Sequence, residues 1–513
     1  MALSTRYILF FSMLLCGGIS VLFGKELCWD LANYHFYNPF ALLHSRYTQD
    51  YWPNSNIHQY INPTIDLLSY FLIQTFTPRM SEFILGAIHG VNLWLLFLIA
   101  KYFLQDRFKN SLAFVIALLG LCGPTALPGI GSFQNDNLVS IFVLACVLLT
   151  LHRYQFLAGI ILGLGFGLKL TAGIYIAGAM IAMLLLPISF HLKIKSIFMF
   201  GIGLAIGMLI TSGYWMIMMW HEHHNPIFPF FNRIFHSPDF SQIDWRDERF
   251  LPKTLTESLF YPFYFSFDGR TADGPFRDFR FLILYVLLVL TAIKCLLRRA
   301  SPQKDYPRIF LFTFFIFSYI IWQMVFSIAR YLAPLEMLAP LMIYLLIQHM
   351  VKDTLICFTL TFMLFFALLF TLSPIPMVRA PWYDNTFFNV KLPAFVENTP
   401  NATVLIAYSA YVLNADPRPQ SYLIPFFPKQ WRFIGVPLLH EKIFLDAAAF
   451  NLIQAKLTND THEKYLLTSD RNMPELYKAA RLWGLTPNGK CEEIESDRQV
   501  VTHQKVLLCP VGR

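Results

Sequence analysis

An aspartate follows the first apolar run of the chain, among side chains that could bind a substrate. Asp30 lies in the stretch CWDLANYHFYNPFALL (28–43). The polar and aromatic side chains after it are Asn33, Tyr34, His35 and Asn38. On a regular helical turn, Asp30 and Tyr34 share one face with Asn33 beside them. A carboxylate beside an apolar slab holds a proton more tightly than one in water, which suits a general base. The simpler alternative is an interfacial carboxylate that ends a helix.

A second carboxylate lies between two asparagines at the start of a later apolar run. This is Asp136 in FQNDN (133–137), flanked by Asn135 and Asn137. Asn and Asp are good helix N-caps, and capping could coexist with a function. Two carboxylates with amides could hold a metal or orient an acceptor hydroxyl. Asp30 and Asp136 are therefore candidate catalytic residues, and the amides around them are candidate substrate-binding residues.

Two basic residues are candidates for binding an anion. Lys169 follows an apolar run, and Arg330 with Tyr331 forms a short turn between two others. A guanidinium binds phosphate through two hydrogen bonds, so both cations predict a phosphate contact. For Lys169 the alternative is that its apolar stem simply snorkels to the membrane surface. The run before Lys169 carries a glycine every fourth residue, which predicts close helix contact: Gly159, Gly163 and Gly167.

The composition indicates a polytopic membrane protein. Of 513 residues 56% are apolar and 14% are charged, and the mean hydropathy is +0.49. Soluble domains have about a quarter of their residues charged. The net charge of +8 falls largely in short loops between apolar runs, so membrane topology explains it and no nucleic-acid partner is expected. The sequence predicts about eleven transmembrane helices, at about 7–24, 83–100, 111–128, 138–151, 156–168, 172–190, 196–219, 279–297, 309–328, 331–350 and 354–372.

The doubtful segment 63–76, PTIDLLSYFLIQTF, decides the orientation of the whole chain. If it does not cross and the N-terminus is cytoplasmic, the Lys/Arg-rich short loops all fall inside, as the positive-inside rule requires. We therefore expect 63–76 to be an interfacial helix in a large first outer loop. Asp30 and Asp136 then lie on the same, outer face of the membrane. We expect the first helix, 7–24, to be retained rather than cleaved as a signal peptide.

The composition changes after about residue 372, which predicts two domains: a transmembrane domain at 1–372 and a soluble α/β domain at 373–513. The predicted strands of the second domain are 403–408, 464–469 and 505–511, and a helix is predicted at 473–485. Two cysteines lie in this polar region, and if it is extracytoplasmic they could form a disulfide: Cys491 and Cys509.

Soluble-enzyme signatures do not explain the chain. It has no P-loop, GxSxG or Rossmann fingerprint, and HEHHN (221–225) lacks the spacing of a zinc-protease helix. The predicted inner loops are also too short for a cytoplasmic nucleotide-sugar domain.

These features together resemble the GT-C class of integral-membrane glycosyltransferases. The resemblance covers about 1–372. This part of the chain looks like the bacterial branch of the class, to which protein mannosyltransferases and lipid A aminoarabinose transferases are distantly related. The resemblance rests on four stretches: WDLANYHFYNPFALLHSR, NPTIDLLSYFL, NPIFPFFNRIFHSP and RYLAPLEML.

The resemblance implies a role for each candidate residue. Asp30 matches the first-loop aspartate, a base or metal-site residue, and Asp136 matches the second acidic position. Lys169 and Arg330 match the basic sites that meet a lipid-linked phosphate. This chain has no second carboxylate beside Asp30, so a divalent metal is not favoured and the cofactor stays unassigned.

The resulting expectation is an inverting glycosyltransferase at the outer face of a bacterial inner membrane. Its donor is a polyprenyl-phosphate-linked sugar, and its acceptor is a hydroxyl of a glycan, glycolipid or protein in the cell envelope. A lipid-linked-glycan transporter or flippase and an O-antigen-ligase-like protein are the alternatives. A scaffold or sensor would leave the Asp30 and Asp136 carboxylates well over about 10 Å apart, too far for a shared water or metal.

Overall fold

The computed structural model describes residues 5–512, except 56, 106–108, 244–245, 299–304, 352, 383–384, 409–420, 438–446, 470–479, 482 and 497–504. The chain divides into two compact units. The first contains residues up to 23, 82–213 and 246–377, and the second contains 24–81, 214–245 and 378–513.

Helices dominate the described part of the chain. In chain order they are α1 (Thr5–Phe23), α2 (Tyr37–Leu43), α3 (Thr64–Thr75), α4 (Pro78–His89), α5 (Val91–Phe103), α6 (Lys109–Leu121), α7 (Asp136–Leu151), α8 (Gln155–Leu168), α9 (Gly173–Leu185), α10 (Phe190–His223), α11 (Asn232–Phe235), α12 (Leu255–Leu259), α13 (Tyr261–Asp268), α14 (Arg280–Arg298), α15 (Tyr306–Val325), α16 (Ala333–Met350), α17 (Thr354–Thr371), α18 (Phe395–Asn398) and α19 (Ala447–Thr458).

The strands are short and fall mainly in the C-terminal part. They are β1 (Lys25–Glu26), β2 (Arg379–Ala380), β3 (Val390–Lys391), β4 (Ala402–Tyr408), β5 (Arg432–Pro437), β6 (Glu463–Ser469), β7 (Thr486–Pro487), β8 (Glu492–Ser496) and β9 (Val506–Gly512).

Several helices are long and apolar enough to cross a membrane, which indicates an integral membrane protein. Within the described residues there are six: Thr5–Phe23, Pro78–Phe103, Phe190–His223, Arg280–Leu297, Tyr306–Val325 and Ala329–Met350. Five of the predicted spans correspond instead to apolar helices of 10–17 residues: Lys109–Leu121, Asp136–Leu151, Gln155–Leu168, Leu170–Leu185 and Leu355–Thr371. A bilayer core needs about 20 residues of helix, so crossing by these shorter helices stays a prediction.

The doubtful segment 63–76 forms a helix that is too short to span a bilayer. Helix α3 has 12 residues, or about 18 Å at 1.5 Å per residue, against a hydrocarbon core of about 30 Å. Its polar Asp66 is fully buried, whereas Phe71 is 56% exposed. An exposed apolar face on a short helix is typical of a helix at a membrane surface, so the position at the interface remains our prediction.

The first unit is organised around α16, which is apolar on all sides and correspondingly buried. Its one acidic side chain, Glu336, is 2% exposed and accepts hydrogen bonds from three donors on the chain at 125–126. These are the amide of Thr125 at 3.2 Å, the hydroxyl of Thr125 at 2.7 Å and the amide of Ala126 at 3.0 Å. The buried carboxyl group of Glu336 therefore ties α16 to the turn between α6 and α7.

The glycine stripe on α8 packs against α10, as its spacing predicts. A Cβ atom on Gly159 would lie 2.1 Å from the carbonyl oxygen of Phe200, and one on Gly163 would lie 2.2 Å from that of Leu204. Both distances are shorter than any real contact, so the two helices approach through their backbones.

Replacing Gly163 with leucine is expected to lower the melting temperature of the purified protein strongly. The new side chain would have to push the backbone of α10 away, and such overpacking costs about 1–3 kcal/mol or more. The matched control is Gly201→Leu on α10, because a Cβ at Gly201 meets no described atom within 4 Å. Equal melting temperatures for the two variants in detergent would contradict the packing.

The second unit contains a mixed sheet with the strand order β3-β8-β9-β6-β4-β5. Strands β5, β4 and β6 are parallel, whereas β9 is antiparallel to β6 and β8. The three predicted strands are therefore confirmed as β4, β6 and β9. The predicted disulfide between Cys491 and Cys509 is also confirmed. The helix predicted at 473–485 falls mostly on 470–479 and 482, outside the described residues.

The first large loop belongs to the same unit as this sheet. The amide of Tyr51 donates to Phe433 on β5 at 2.8 Å, and the amide of Gly435 donates back to Tyr51 at 2.7 Å. One apolar core also combines side chains from all three segments of the unit, among them Trp52, Trp215 and Leu466. Residues 24–81 thus fold together with the C-terminal part of the chain.

Candidate functional site

An acidic and a basic side chain from neighbouring helices pair in the first unit. Asp136 is the first residue of α7, and Lys169 follows the last residue of α8. The ammonium nitrogen of Lys169 lies 2.5 Å from Asp136 Oδ1 and 2.8 Å from the carbonyl oxygen of Gln134. Asn135 is the residue at the N-cap position, but its side chain makes no capping bond. Asp136 therefore uses a carboxylate oxygen to hold a cation.

Arg330 and Tyr331 complete the cluster from a 3₁₀ turn, Ala329–Leu332, between α15 and α16. Arg330 Nε lies 3.8 Å from Asp136 Oδ2, an ion pair without a direct hydrogen bond. The Tyr331 ring centroid lies 5.4 Å from Lys169 Nζ and 5.4 Å from the Arg330 guanidinium carbon. Both cations are thus placed against one carboxylate and near one aromatic ring.

Hydrogen bonds to the backbone hold the turn that carries Arg330. The Tyr175 hydroxyl donates to the carbonyl oxygen of Tyr331 at 2.5 Å, and Trp322 Nε1 donates to that of Ile328 at 2.8 Å. The amide of Ala329 donates to Thr271 at 2.7 Å. These bonds fix the backbone position of Arg330, whose side chain is 29% exposed.

A small polar cleft opens beside this cluster. Its lining residues are Thr125, Gly129, Ser132, Gln134, Asp136, Asn137, Arg330 and Ala333. Asn137 has a structural role. Its side-chain amide donates to the backbone carbonyl oxygen of Ala126 at 2.8 Å, and its own backbone carbonyl oxygen accepts from the side-chain amide of Asn92 at 2.7 Å. Asn137 therefore joins the start of α7 to Ala126 and to Asn92 on α5.

The two cations of the cluster suit an anion. Lys169 and Arg330 both lie against the carboxylate of Asp136. The Lys169 and Asp136 side chains are 17% and 12% exposed, which keeps the cluster reachable while reducing its screening by water. An oxyanion that meets both cations would gain from charge-assisted hydrogen bonds.

Asp30 lies in the second unit, at the start of a π-helix. Asp30 is 7% exposed, and the π-helix that follows it spans Leu31–His35. The Phe36 amide donates to Leu31, five residues back, at 3.2 Å. The helical turn that we expected here is therefore a π-helix rather than an α-helix, because its backbone bonding runs from i to i+5.

The other polar residues of the segment have partners of their own within the second unit. His35 Nδ1 lies 2.7 Å from Asp66 Oδ1, and the Tyr34 ring stacks on His58 at 4.9 Å. Asn38 uses both ends of its amide: it donates to the His58 carbonyl at 2.8 Å and accepts from Asn54 at 2.8 Å. The amide nitrogen of Asn33 differs, because it is buried and has no hydrogen-bond partner among the described residues.

The structure thus brings four of the candidate residues together in the first unit: Asp136, Lys169, Arg330 and Tyr331. It places Asp30, Asn33, Tyr34, His35 and Asn38 along one segment of the second unit. A site shared by Asp30 and Asp136 stays a prediction. Sequence reasoning missed Tyr175, whose only signal is a tyrosine inside an apolar run close after Lys169.

The cluster of Lys169, Arg330 and Asp136 joins two cations to one carboxylate, a set that suits an anion better than a metal. Among the described residues, no group of three or more His, Cys, Asp or Glu side chains could hold a metal ion. Models of known protein families give no match to the chain, and neither do curated proteins.

Proposed function

We propose that this protein is a membrane glycosyltransferase that takes its sugar from a polyprenyl-phosphate donor. The observation that carries the proposal is the convergence of Lys169 and Arg330 on Asp136 at a polar cleft of the helical unit. A phosphodiester carries a negative charge, and two converging cations are groups that would bind it. The candidate membrane spans suit a substrate that is dissolved in the bilayer.

In the proposed reaction the acceptor oxygen attacks the anomeric carbon of the sugar. The new bond joins that carbon to the acceptor oxygen, and the bond between the carbon and the phosphate oxygen breaks. Its electron pair leaves with the polyprenyl phosphate, whose growing charge Lys169 and Arg330 would stabilise. The acceptor proton needs a base, and we assign that role to Asp30 as a sequence-based prediction. A single displacement inverts the anomeric centre.

The proposal also concerns where the reaction occurs. We propose the outer face of a bacterial inner membrane, with a cell-envelope glycan, glycolipid or protein hydroxyl as the acceptor. The Cys491–Cys509 disulfide supports an oxidising, extracytoplasmic location for the C-terminal sheet. No nucleotide is needed there, because the sugar arrives already activated on its lipid.

The second candidate function is transport of a lipid-linked glycan. The same cation cluster would serve a flippase, which moves the lipid phosphate without breaking the sugar–phosphate bond. Transporters commonly place charged residues along a pathway through the membrane. In the first unit Glu336 is such a buried charge, but hydrogen bonds to Thr125 and Ala126 already engage it.

A transfer assay distinguishes the two functions. Purified protein is incubated with a panel of polyprenyl-phosphate sugars and envelope acceptors, and both transfer and free polyprenyl phosphate are measured. The proposal expects stoichiometric release of polyprenyl phosphate with glycosylated acceptor. If intact donor moves across a vesicle membrane and the sugar–phosphate bond of no donor in the panel is cleaved, the result would favour the flippase.

A further inference from the structure

The π-helix at Leu31–His35 is held by a serine from the C-terminal part of the chain. The hydroxyl of Ser421 contacts the carbonyl oxygen of Ala32 at 3.2 Å and also donates to that of Asn33. Ser421 is fully buried and begins a 3₁₀ helix, Ser421–Phe426. Because π-helices bond less regularly than α-helices and occur mostly as single turns at functional sites, such a donor satisfies carbonyls that the local backbone leaves exposed.

The 3₁₀ helix that carries Ser421 is itself anchored in the C-terminal sheet. The Tyr422 hydroxyl lies 2.9 Å from the hydroxyl of Ser496 on β8. The Tyr422 ring packs on Phe388 at 5.2 Å, and Phe388 packs in turn on Phe36 at 4.7 Å, directly after the π-helix. The segment is thus contacted by a hydroxyl and by an aromatic ring, both from residues beyond 378.

A third contact that anchors the segment is made by Tyr37, the residue after Phe36. Its hydroxyl donates to Asp50 at 2.9 Å, and Asp50 also binds Arg46 at 2.7 Å and the amide of Phe433 on β5 at 3.0 Å. Arg46 in addition donates to the carbonyl oxygen of Trp431 at 2.7 Å. Burial raises the pKa of the Asp50 carboxyl to about 6, and the bonds from Arg46, Tyr37 and Phe433 limit the rise. The network leaves this stretch little freedom to move.

From these contacts we infer that the C-terminal part positions the Asp30 segment, with Ser421 as the positioning residue that sets the π-helix. Ser421 does not touch substrate in this account; it fixes the backbone on which Asp30, Asn33 and Tyr34 stand. The expected effect on catalysis rests on the proposed function, in which Asp30 is the base. The positioning of the π-helix by Ser421 does not depend on that function.

Deleting the C-terminal part would not test this inference, because its strands share one core with residues 24–81. Point variants are sharper. Ser421→Ala removes the hydroxyl that reaches the π-helix, and Ser496→Ala removes a buried hydroxyl on β8 that contacts Tyr422 of the same 3₁₀ helix. Each variant loses one buried hydroxyl that contacts this part of the chain, so their melting temperatures should fall by similar amounts.

The first readout is hydrogen–deuterium exchange of the amides at 31–37 in the full-length protein. We expect faster exchange there in Ser421→Ala than in Ser496→Ala or the wild type. Equal exchange at 31–37 in the two variants would overturn the inference. This result does not depend on any assumed activity.

The second readout is glycosyl transfer. We expect Ser421→Ala to lower kcat about tenfold at an unchanged donor KM, because a displacement well under 1 Å of a reacting group already costs rate. Ser496→Ala should keep the wild-type kcat. Equal kcat values in both variants would overturn the expected effect on catalysis. If the wild type transfers no sugar while exchange at 31–37 still rises selectively, the proposed function fails and the positioning by Ser421 stands.

Discussion

Removing both cations of the cluster, in the variant Lys169→Met with Arg330→Gln, is expected to lower kcat by about 10²–10³ or more. Each cation is proposed to stabilise the charge that develops on the departing polyprenyl phosphate, and one such donor typically contributes a factor of that size. Methionine and glutamine keep most of the side-chain volume, so the packing around Tyr331 should survive. The measurement is the steady-state rate of polyprenyl phosphate release.

Two controls separate the charge from the fold. The double variant leaves Asp136 without its cations, so a triple variant with Asp136→Asn removes that buried imbalance; it should fold as well as the wild type and remain inactive. Arg270→Gln removes an exposed arginine that pairs with Glu257 and Asp268 and does not line the cleft, and should keep full turnover. Wild-type turnover in the folded triple variant would remove the cations from the mechanism.

Replacing Asp30 with asparagine is expected to lower kcat by about 10²–10⁴. Asparagine keeps the size of the side chain and one acceptor oxygen but cannot take the acceptor proton, and a positioned general base contributes a factor of that order. Because Asp30 is 7% exposed at the start of the π-helix, the neutral side chain should fit without disturbing the segment. The rate of transfer under saturating donor and acceptor measures the effect.

The matched control for this variant is Asp273→Asn. The side chain of Asp273 is 77% exposed and pairs with Arg249 on the surface, so its loss should leave both rate and melting temperature unchanged. Donor hydrolysis by water is followed in parallel, since it needs less help from a base than transfer to a specific acceptor. An Asp30→Asn protein that turns over at the wild-type rate would show that another group removes the proton.

The sequence was most informative where a single physical signal dominates. Continuous apolar runs located the long helices, and the glycine spacing on α8 predicted its contact with α10, because a Cβ at Gly163 has no room there. The strands of the C-terminal part followed from short β-branched runs. The cleft residues Asp136, Lys169 and Arg330 stood out because charges at the ends of apolar helices are costly unless they are paired.

Other features depend on contacts that no local pattern encodes. The pairing of Tyr51 with β5 and the bonds from Ser421 to the π-helix join residues nearly 400 positions apart in the chain. A π-helix differs from an α-helix by one residue in its bonding, so a periodicity of 3.6 in the sequence does not predict it. The segment from residue 24 to 81 therefore looked like a loop of the membrane domain, whereas it folds with the sheet.

Binding of a polyprenyl phosphate without sugar tests the central claim most directly, because it isolates the phosphate contact from catalysis. The lipid is titrated into wild-type protein and into the Lys169→Met, Arg330→Gln, Asp136→Asn triple variant, with the matching polyprenol as the uncharged reference. Our account predicts that the triple variant binds the phosphate at least tenfold more weakly, a difference of about 1.4 kcal/mol, while both proteins bind the polyprenol equally. Equal affinity of the two proteins for the phosphate would contradict it.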